Sequence, residues 1–193
     1  MREIAVVVAA YLIGSVPSAY LASRFLAGAD PRRVGSSSMG GMNVLRNVGV
    51  LPGVLTAVGD VAKGYVAVRL ASAAGVSPLA VAAAGIAAVA GHDWMLFMGF
   101  RGGKGIATSL GAYLAMLPWA ALVLAVAIGA FSLLLRDAYG GTTAGFWATA
   151  AALAWAGRLA KGDARTVFSV GAAVLATVKF APDAALVKRL KRR

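Results

Sequence analysis

The chain has 193 residues, of which 60% are hydrophobic and 13% charged, and its formal net charge is +12. This composition is unusual for a water-soluble globular domain and predicts a protein embedded in a lipid bilayer. The chain has no cysteine and a single histidine, His92, which excludes disulfides, thiolate metal sites and multi-histidine metal centres. The basic residues lie in short clusters between apolar stretches, and no RNA- or DNA-binding motif accompanies them, so the pattern indicates membrane topology rather than nucleic-acid binding.

Apolar stretches long enough for transmembrane helices alternate with short polar links. Six such segments are expected, at residues 4–27, 50–74, 78–100, 106–135, 143–159 and 166–181. The first resembles a signal peptide, but Glu3 offsets Arg2 and no small-residue cleavage site follows, which predicts a retained helix. Within it, the sequence GSVPSAYL predicts a proline kink, which is either a simple bend or a device that presents Ser15 to a cavity.

The positions of Lys and Arg predict the orientation of the helices. Arginines bracket the first long link, whereas residues 71–77 carry no charge, so the first link is expected in the cytoplasm and the N-terminus outside. A basic C-terminal tail, also expected inside, contains Lys188, Arg189, Lys191, Arg192 and Arg193. An outside N-terminus and an inside C-terminus require an odd number of crossings.

Six segments give an even number of crossings. A proline inside residues 106–135, Pro118, is expected to break the helix there and so to divide this segment into two crossings. Two short helices joined near Pro118 give seven crossings. This topology places Arg136, Asp137, Thr142 and Thr143 in a cytoplasmic link, and it leaves Arg158, Lys161 and Arg165 outside, against the charge rule. The sequence therefore predicts an all-α integral membrane protein of about seven short transmembrane helices with cytoplasmic glycine-rich loops, in a single polytopic domain of residues 1–193.

Two of the links are rich in glycine and polar residues although apolar helices flank them. The first, residues 28–49, contains GSSSMGGMNVLRNVG. Irregular backbone of this kind is tolerated near a membrane only where protein or water satisfies its polar groups, which indicates a lined cavity at the cytoplasmic surface.

The second link reads GFRGGKGIATSLG from Gly99 to Gly111. Glycines let backbone N–H groups converge on an anion, Lys104 adds a point charge, and the helix expected from Ile106 points its positive end to the same place. The motif is not a Walker A loop, because Gly105 rather than Ser or Thr follows Lys104. A phosphate site and a merely tight basic turn both remain open from the residues alone.

Three ionisable residues lie within apolar segments, where they are costly. His92 is expected about three helical turns before Lys104, as a packing residue or as a group that positions a phosphate or hydroxyl. Asp60 and Lys63 are one turn apart, so they form an i,i+3 ion pair, line a cavity, or do both.

These motifs resemble the bacterial acyl-phosphate:glycerol-3-phosphate acyltransferases, the PlsY family. The matching pieces are GSVPSAYL from Gly14, the frame GS…G…NVLRNVG from Gly35, DVAKG from Asp60, and GHDWMLFMGFRGGKGIATSLG from Gly91. They follow the family's order and spacing over about the first 120 residues.

The resemblance implies transfer of a fatty acyl group from acyl phosphate to the 1-hydroxyl of glycerol 3-phosphate, giving lysophosphatidic acid, in a multi-pass protein of the bacterial plasma membrane. It implies a membrane lipid environment and no metal or other cofactor. The residues that it assigns to a phosphate are Gly102, Gly103, Lys104 and Gly105. Ser36, Asn43 and Arg46 would line the other side of the site, with His92 nearby; Lys104, Arg46, His92 and Ser36 are the candidates for catalysis, and Ser15, Asp60 and Lys63 for lining the substrate cavity.

The sequence departs from the family in its first and last motifs. The first usually reads G-S-G-N-x-G-A-T-N-V, but Ser37, Ser38, Gly41 and Met42 differ here. The family's serine-containing loop is represented at best by Thr142 and Thr143, and the C-terminal H-R-E-N-I-x-R-L is almost absent from VKFAPDAALVKRLKRR. Two alternatives therefore stay open: a divergent member with another acceptor or no catalysis, and a small anion transporter that uses Asp60, Lys63 and His92.

Overall fold

The computed structural model describes residues 1–156 and 163–190, with side chains described in 1–156 and 163–182. These residues form nine α-helices and no β-strand: α1 Arg2–Gly14, α2 Ser18–Ala27, α3 Gly41–Asn47, α4 Val50–Ala73, α5 Pro78–Asp93, α6 Ile106–Met116, α7 Pro118–Leu135, α8 Ala138–Ala156 and α9 Ala164–Leu190. The predictions on Arg158, Lys161, Lys191, Arg192 and Arg193 lie outside the described residues, as do the side chains of Lys188 and Arg189.

Within that part of the chain, five helical stretches are long and apolar enough to cross a membrane. They are Arg2–Ala27, Val50–Ala73, Pro78–Met98, Pro118–Leu135 and Ala164–Pro182. The 11-residue α6 is a shorter apolar helix, and α8 adds a seventh helical segment of 19 residues. The all-α membrane architecture predicted from the sequence is confirmed.

The first apolar segment is broken, at the position where the sequence predicts a proline kink. Residues 15–17 leave the helix between α1 and α2, and Pro17 has no N–H to continue it. The break at Pro118 is confirmed as well: only Leu117 separates α6 from α7, and Pro118 occupies the first turn of α7, where a missing N–H is tolerated.

The start of α8 corrects one prediction. Thr142 and Thr143 lie inside α8 rather than in a link, and their hydroxyls donate to the carbonyls of Ala138 (2.7 Å) and Tyr139 (3.1 Å). Asp137 starts the helix early, because its carboxylate accepts the N–H groups of Tyr139 (3.0 Å) and Gly140 (3.1 Å).

Helices α1 and α5 run in the same direction. Glu3 at the start of α1 accepts the N–H of Ser77 just before α5 (3.2 Å), and the Tyr11 hydroxyl donates to the carbonyl of Trp94 just after it (2.6 Å). The two helices approach so closely that a Cβ on Gly14 would overlap the carbonyl of Ala88. Because α1 continues into α2, the links at residues 28–49 and 94–105 lie at the same end of the bundle.

One apolar cluster joins α4 and α5 to the helices from α6 to α9. Tyr113 of α6 and Phe168 of α9 meet edge to face with ring centroids 4.8 Å apart, and Leu124 and Phe146 pack in the same cluster. This packing holds α6 to α9 together beside α5.

Candidate functional site

A buried polar cluster joins α4 to the end of α5. The Lys63 Nζ lies 2.9 Å from Asp60 Oδ1, and His92 Nδ1 lies 3.4 Å from the same oxygen. All three residues are at most 6% exposed. The predicted i,i+3 ion pair is therefore present, and the only histidine of the chain lies beside it.

The break in the first helix feeds directly into this cluster. Lys63 Nζ donates to the carbonyl of Val16 (3.1 Å), and Ser15 Oγ accepts the N–H of Leu96 (3.3 Å). A backbone carbonyl freed by a helix break must be satisfied inside a membrane protein, and here Lys63 of α4 satisfies that of Val16. Ser15 is completely buried, so its observed role is to fix the second link.

The second link packs against His92 instead of extending the helix. Helix α5 ends at Asp93, which corrects the expected three-turn helical spacing between His92 and Lys104. The Gly103 N–H donates to the His92 carbonyl (3.0 Å). A Cβ on Gly102 would overlap that carbonyl, and a Cβ on Gly103 would overlap the imidazole Nε2, so only glycine allows this contact.

Lys104 extends from this loop to two aromatic rings. Its Nζ lies 4.3 Å from the centroid of Tyr139 and 5.1 Å from that of Phe180. Aromatic faces attract an ammonium group electrostatically. Gly105 adopts a left-handed conformation (φ 73°), and α6 begins at once without a side-chain cap, so its positive end lies beside Lys104.

The first link is organised around Asn43. Its Oδ1 accepts the N–H of Ser36 (3.0 Å), and its Nδ2 donates to the carbonyls of Pro31 (3.0 Å) and Ser38 (2.9 Å). Asn47 adds a further donor to Oδ1 (3.0 Å). The link was predicted to be irregular, but it contains the short helix α3. The side-chain amide of Asn43 is the centre of the hydrogen bonds that hold the link together.

Ser36 and Arg46 are exposed on this first link. No hydrogen bond or ion pair connects either side chain to the second link among the described residues. The structure therefore forms two groups at one end of the bundle. One contains Ser15, Asp60, Lys63, His92 and the glycines from Gly102 to Gly105 with Lys104, and the other contains Ser36, Asn43 and Arg46.

An ion pair fixes the start of the first link. Arg32 donates to both carboxylate oxygens of Asp30, with the shortest distance 2.7 Å. These hydrogen bonds lower the pKa of Asp30 to about 2, and the same contact raises the pKa of Arg32. The pair is fully ionised near neutral pH.

Sequence reasoning missed Lys179 and Asp93. The Lys179 Nζ donates to the main-chain carbonyl of Asp93 (2.6 Å) and lies 4.8 Å from the centroid of Trp94. The Asp93 side chain is fully buried, and its carboxylate would lie 3.0 Å from a Cβ at Gly105. The sequence did contain a signal for both residues, because a lysine and an aspartate within apolar segments must be paired or face the interior of the bundle. In the residues whose side chains are described, no group of three or more His, Cys, Asp or Glu could hold a metal ion.

Comparison with known proteins identifies the family of the chain. The family model described as glycerol-3-phosphate acyltransferase matches residues 4–189. A glycerol-3-phosphate acyltransferase of Laribacter hongkongensis is 49% identical over 140 residues, which cover 70% of each chain. Glycerol-3-phosphate acyltransferase 2 of Moorella thermoacetica is 48% identical over 126 residues, 63% of this chain and 64% of that one, so the alignment spans just under two thirds of that relative.

Solved structures agree over the whole fold. The crystal structure of PlsY (YgiH), an integral membrane glycerol 3-phosphate acyltransferase, in its glycerol 3-phosphate form is 28% identical with a TM-score of 0.82, covering 100% of this chain and 93% of the other. Its lysophosphatidic acid form is 25% identical, with the same TM-score of 0.82. The chain belongs to the glycerol-3-phosphate acyltransferase family of integral membrane proteins.

Proposed function

We propose that this protein transfers a fatty acyl group from acyl phosphate to the 1-hydroxyl of glycerol 3-phosphate, releasing lysophosphatidic acid and inorganic phosphate. The observation that carries the proposal is the close fit of Gly102 and Gly103 against His92, beside Lys104 and the start of α6. This fit explains why the motif needs glycine, and it gathers positive potential at one place, as a bound phosphate requires.

The reaction needs little from the protein beyond orientation and charge. The hydroxyl oxygen attacks the acyl carbon, the bond between that carbon and the phosphate oxygen breaks, and phosphate leaves with the electron pair. Negative charge develops on the carbonyl oxygen and on the leaving phosphate. Lys104 and Arg46 are the proposed cations for this charge, and Ser36 is the proposed polar contact on the first link.

The hydroxyl proton has two proposed destinations, a substrate phosphate or His92. The imidazole of His92 lies between Asp60, whose Oδ1 is 3.4 Å from Nδ1, and Gly103, which faces its Nε2 edge. This arrangement supports a positioning role for His92 behind the loop. The cluster of Asp60, Lys63 and Ser15 is proposed to support the loop rather than to contact the acyl carbon.

The orientation in the membrane belongs to the same proposal. The two links lie at one end of the bundle, and the arginines of the first link indicate that this end faces the cytoplasm of the bacterial cell, with the N-terminus outside. Acyl phosphate would then reach the site from the bilayer and glycerol 3-phosphate from the cytoplasm.

The test is conversion of radiolabelled glycerol 3-phosphate to lysophosphatidic acid by purified full-length protein, with palmitoyl phosphate as donor and palmitoyl-CoA as control. We expect product from palmitoyl phosphate alone. Product from palmitoyl-CoA instead would contradict the proposed donor, and no product from a folded protein would favour a different acceptor or no catalysis. Flux of glycerol 3-phosphate into sealed liposomes without product would favour the transporter alternative.

A further inference from the structure

A cleft of about 630 Å³ lies between α2 and the two links, outside the two groups of site residues described above. Its walls are formed by Tyr20, Arg32, Phe97, Met98, Gly99 and Arg101. None of these residues belongs to the cluster of Asp60, Lys63 and His92 or to the glycines that contact it. We call this space the arginine cleft.

The arginine cleft lies at the level where apolar helices give way to links. Tyr20 is on α2 seven residues before that helix ends at Ala27, Arg32 follows in the first link, and the remaining wall comes from residues 97–101 after α5. A cleft at the end of membrane-spanning helices opens at the depth of lipid headgroups.

The charge of the arginine cleft favours an anion. Asp30 orients Arg32 by accepting hydrogen bonds from the Nε and Nη2 of the arginine, and Nη1 makes no hydrogen bond to Asp30. The guanidinium carbon of Arg32 lies 5.4 Å from the centroid of the Tyr20 ring. Arg101 is exposed and forms no ion pair with any residue of the described part. Two guanidinium groups against one carboxylate leave the cleft positive, and guanidinium groups bind phosphate with matched geometry.

The rim of the arginine cleft is apolar. Phe97 and Phe100 are each 57% exposed. Phe100 also has a φ of 60°, a conformation that is strained for a bulky side chain. Exposed aromatic rings beside arginines are typical of surfaces that sit at the membrane interface, and they give a free phosphate ion nothing to bind.

We propose that the arginine cleft binds the phosphate headgroup of an anionic membrane phospholipid, with Arg101 and Arg32 on the phosphate and the acyl chains along Phe97 and Phe100. The occupant is a lipid rather than inorganic phosphate, because charge and apolar surface occur together. This site is independent of the proposed acyl transfer, and its test does not need activity.

The experiment is native mass spectrometry of the full-length protein released from detergent with added phosphatidylglycerol or phosphatidylcholine. We expect retained phosphatidylglycerol in preference to phosphatidylcholine. Loss of a charge-assisted hydrogen bond to the phosphate weakens binding at least about tenfold, so Arg101→Gln and Arg32→Gln should each lose phosphatidylglycerol by that factor. The matched control is Arg33→Gln, since Arg33 is exposed and next in sequence but is not part of the cleft wall.

Three outcomes would overturn the proposal. Equal losses in Arg101→Gln, Arg32→Gln and Arg33→Gln would show a diffuse basic surface rather than a site. Displacement of the lipid by millimolar inorganic phosphate would assign the cleft to free phosphate. Unchanged retention of phosphatidylglycerol by Phe97→Ser would show that the apolar rim has no role in binding. Because this variant keeps every charge, it also tests the site if an arginine variant fails to fold.

Discussion

The ammonium group of Lys179 on α9 lies 2.6 Å from the main-chain oxygen of Asp93, 86 residues earlier in the chain. A positive charge at the carboxyl end of a helix opposes the negative end of its dipole. A Cβ on Gly102 would overlap the carbonyls of His92 and Asp93, so the carbonyl that Lys179 binds also lies against the second link.

Lys179→Met should therefore destabilise the protein. A hydrogen bond from a charged group contributes about 1.5–3 kcal/mol, so a loss within that range is expected in thermal unfolding followed by circular dichroism in detergent. Lys179→Arg, which keeps the charge, should lose less. Equal stability of Lys179→Met and the parent protein would show that the contact contributes nothing.

Gly103→Ala should abolish most of the turnover, because its methyl group would displace the imidazole of His92. The measurement is the acyl-phosphate assay together with a thermal unfolding curve. The control is Gly129→Ala in α7, where no atom lies within 4 Å of the new Cβ, and this variant should keep full activity. Normal turnover in Gly103→Ala would show that the close fit is dispensable.

Lys104→Ala should lower turnover by at least about 100-fold, the scale for one charged group aimed at a developing anion, while the helical content stays unchanged. Arg69→Ala is the matched control, since Arg69 is an exposed cation of α4 six residues beyond Lys63 and away from both links. Retention of full activity by Lys104→Ala would contradict the phosphate assignment of the loop.

Asp60→Asn and Lys63→Met should each be strongly destabilising. Removal of one partner from a buried ion pair costs about 3–5 kcal/mol, because the other charge is left buried without compensation. The double variant should recover part of this loss, and a double-mutant cycle of unfolding free energies measures the coupling. Additive losses would mean that the 2.9 Å contact has no energetic coupling.

The ion pair of the first link should be insensitive to pH in the physiological range. The pKa of Asp30 falls from 3.8 to about 2 in the folded protein, so its contribution is fully present above pH 3.8 and is lost as the pH falls through 2. Resistance of residues 28–49 to limited proteolysis should therefore be equal at pH 5 and pH 8. In Asp30→Asn, cleavage should increase at both values.

Hydropathy and helix breakers gave most of the helices correctly, whereas the orientation predicted from charge stays a prediction. Pro17 and Pro118 locate two breaks in the helices, because proline cannot donate the helix hydrogen bond in any context. The predicted start of α8 was wrong, because Asp137 was expected in a link and instead caps the helix. Capping depends on local geometry that hydropathy does not record.

The second link was predictable in one respect: Gly105 and Lys104 lie at the start of α6, as the sequence predicts. The positions of Ser36, Asn43 and Arg46 as a separate group were not predictable, since their contacts depend on how the first link folds on itself. Nor was Lys179 identified, because no pattern in α9 shows which end of α5 it meets. The substrate roles of all these residues remain predictions.

The break between α1 and α2 also bears on how the protein enters the bilayer. Lys63 is buried, and its acceptors are Asp60 one turn earlier and the carbonyl of Val16. Synthesis proceeds from the N-terminus, so the Val16 carbonyl precedes α4 out of the ribosome. The first helix pair therefore supplies an acceptor for a charge on α4 that lipid alone would not accommodate.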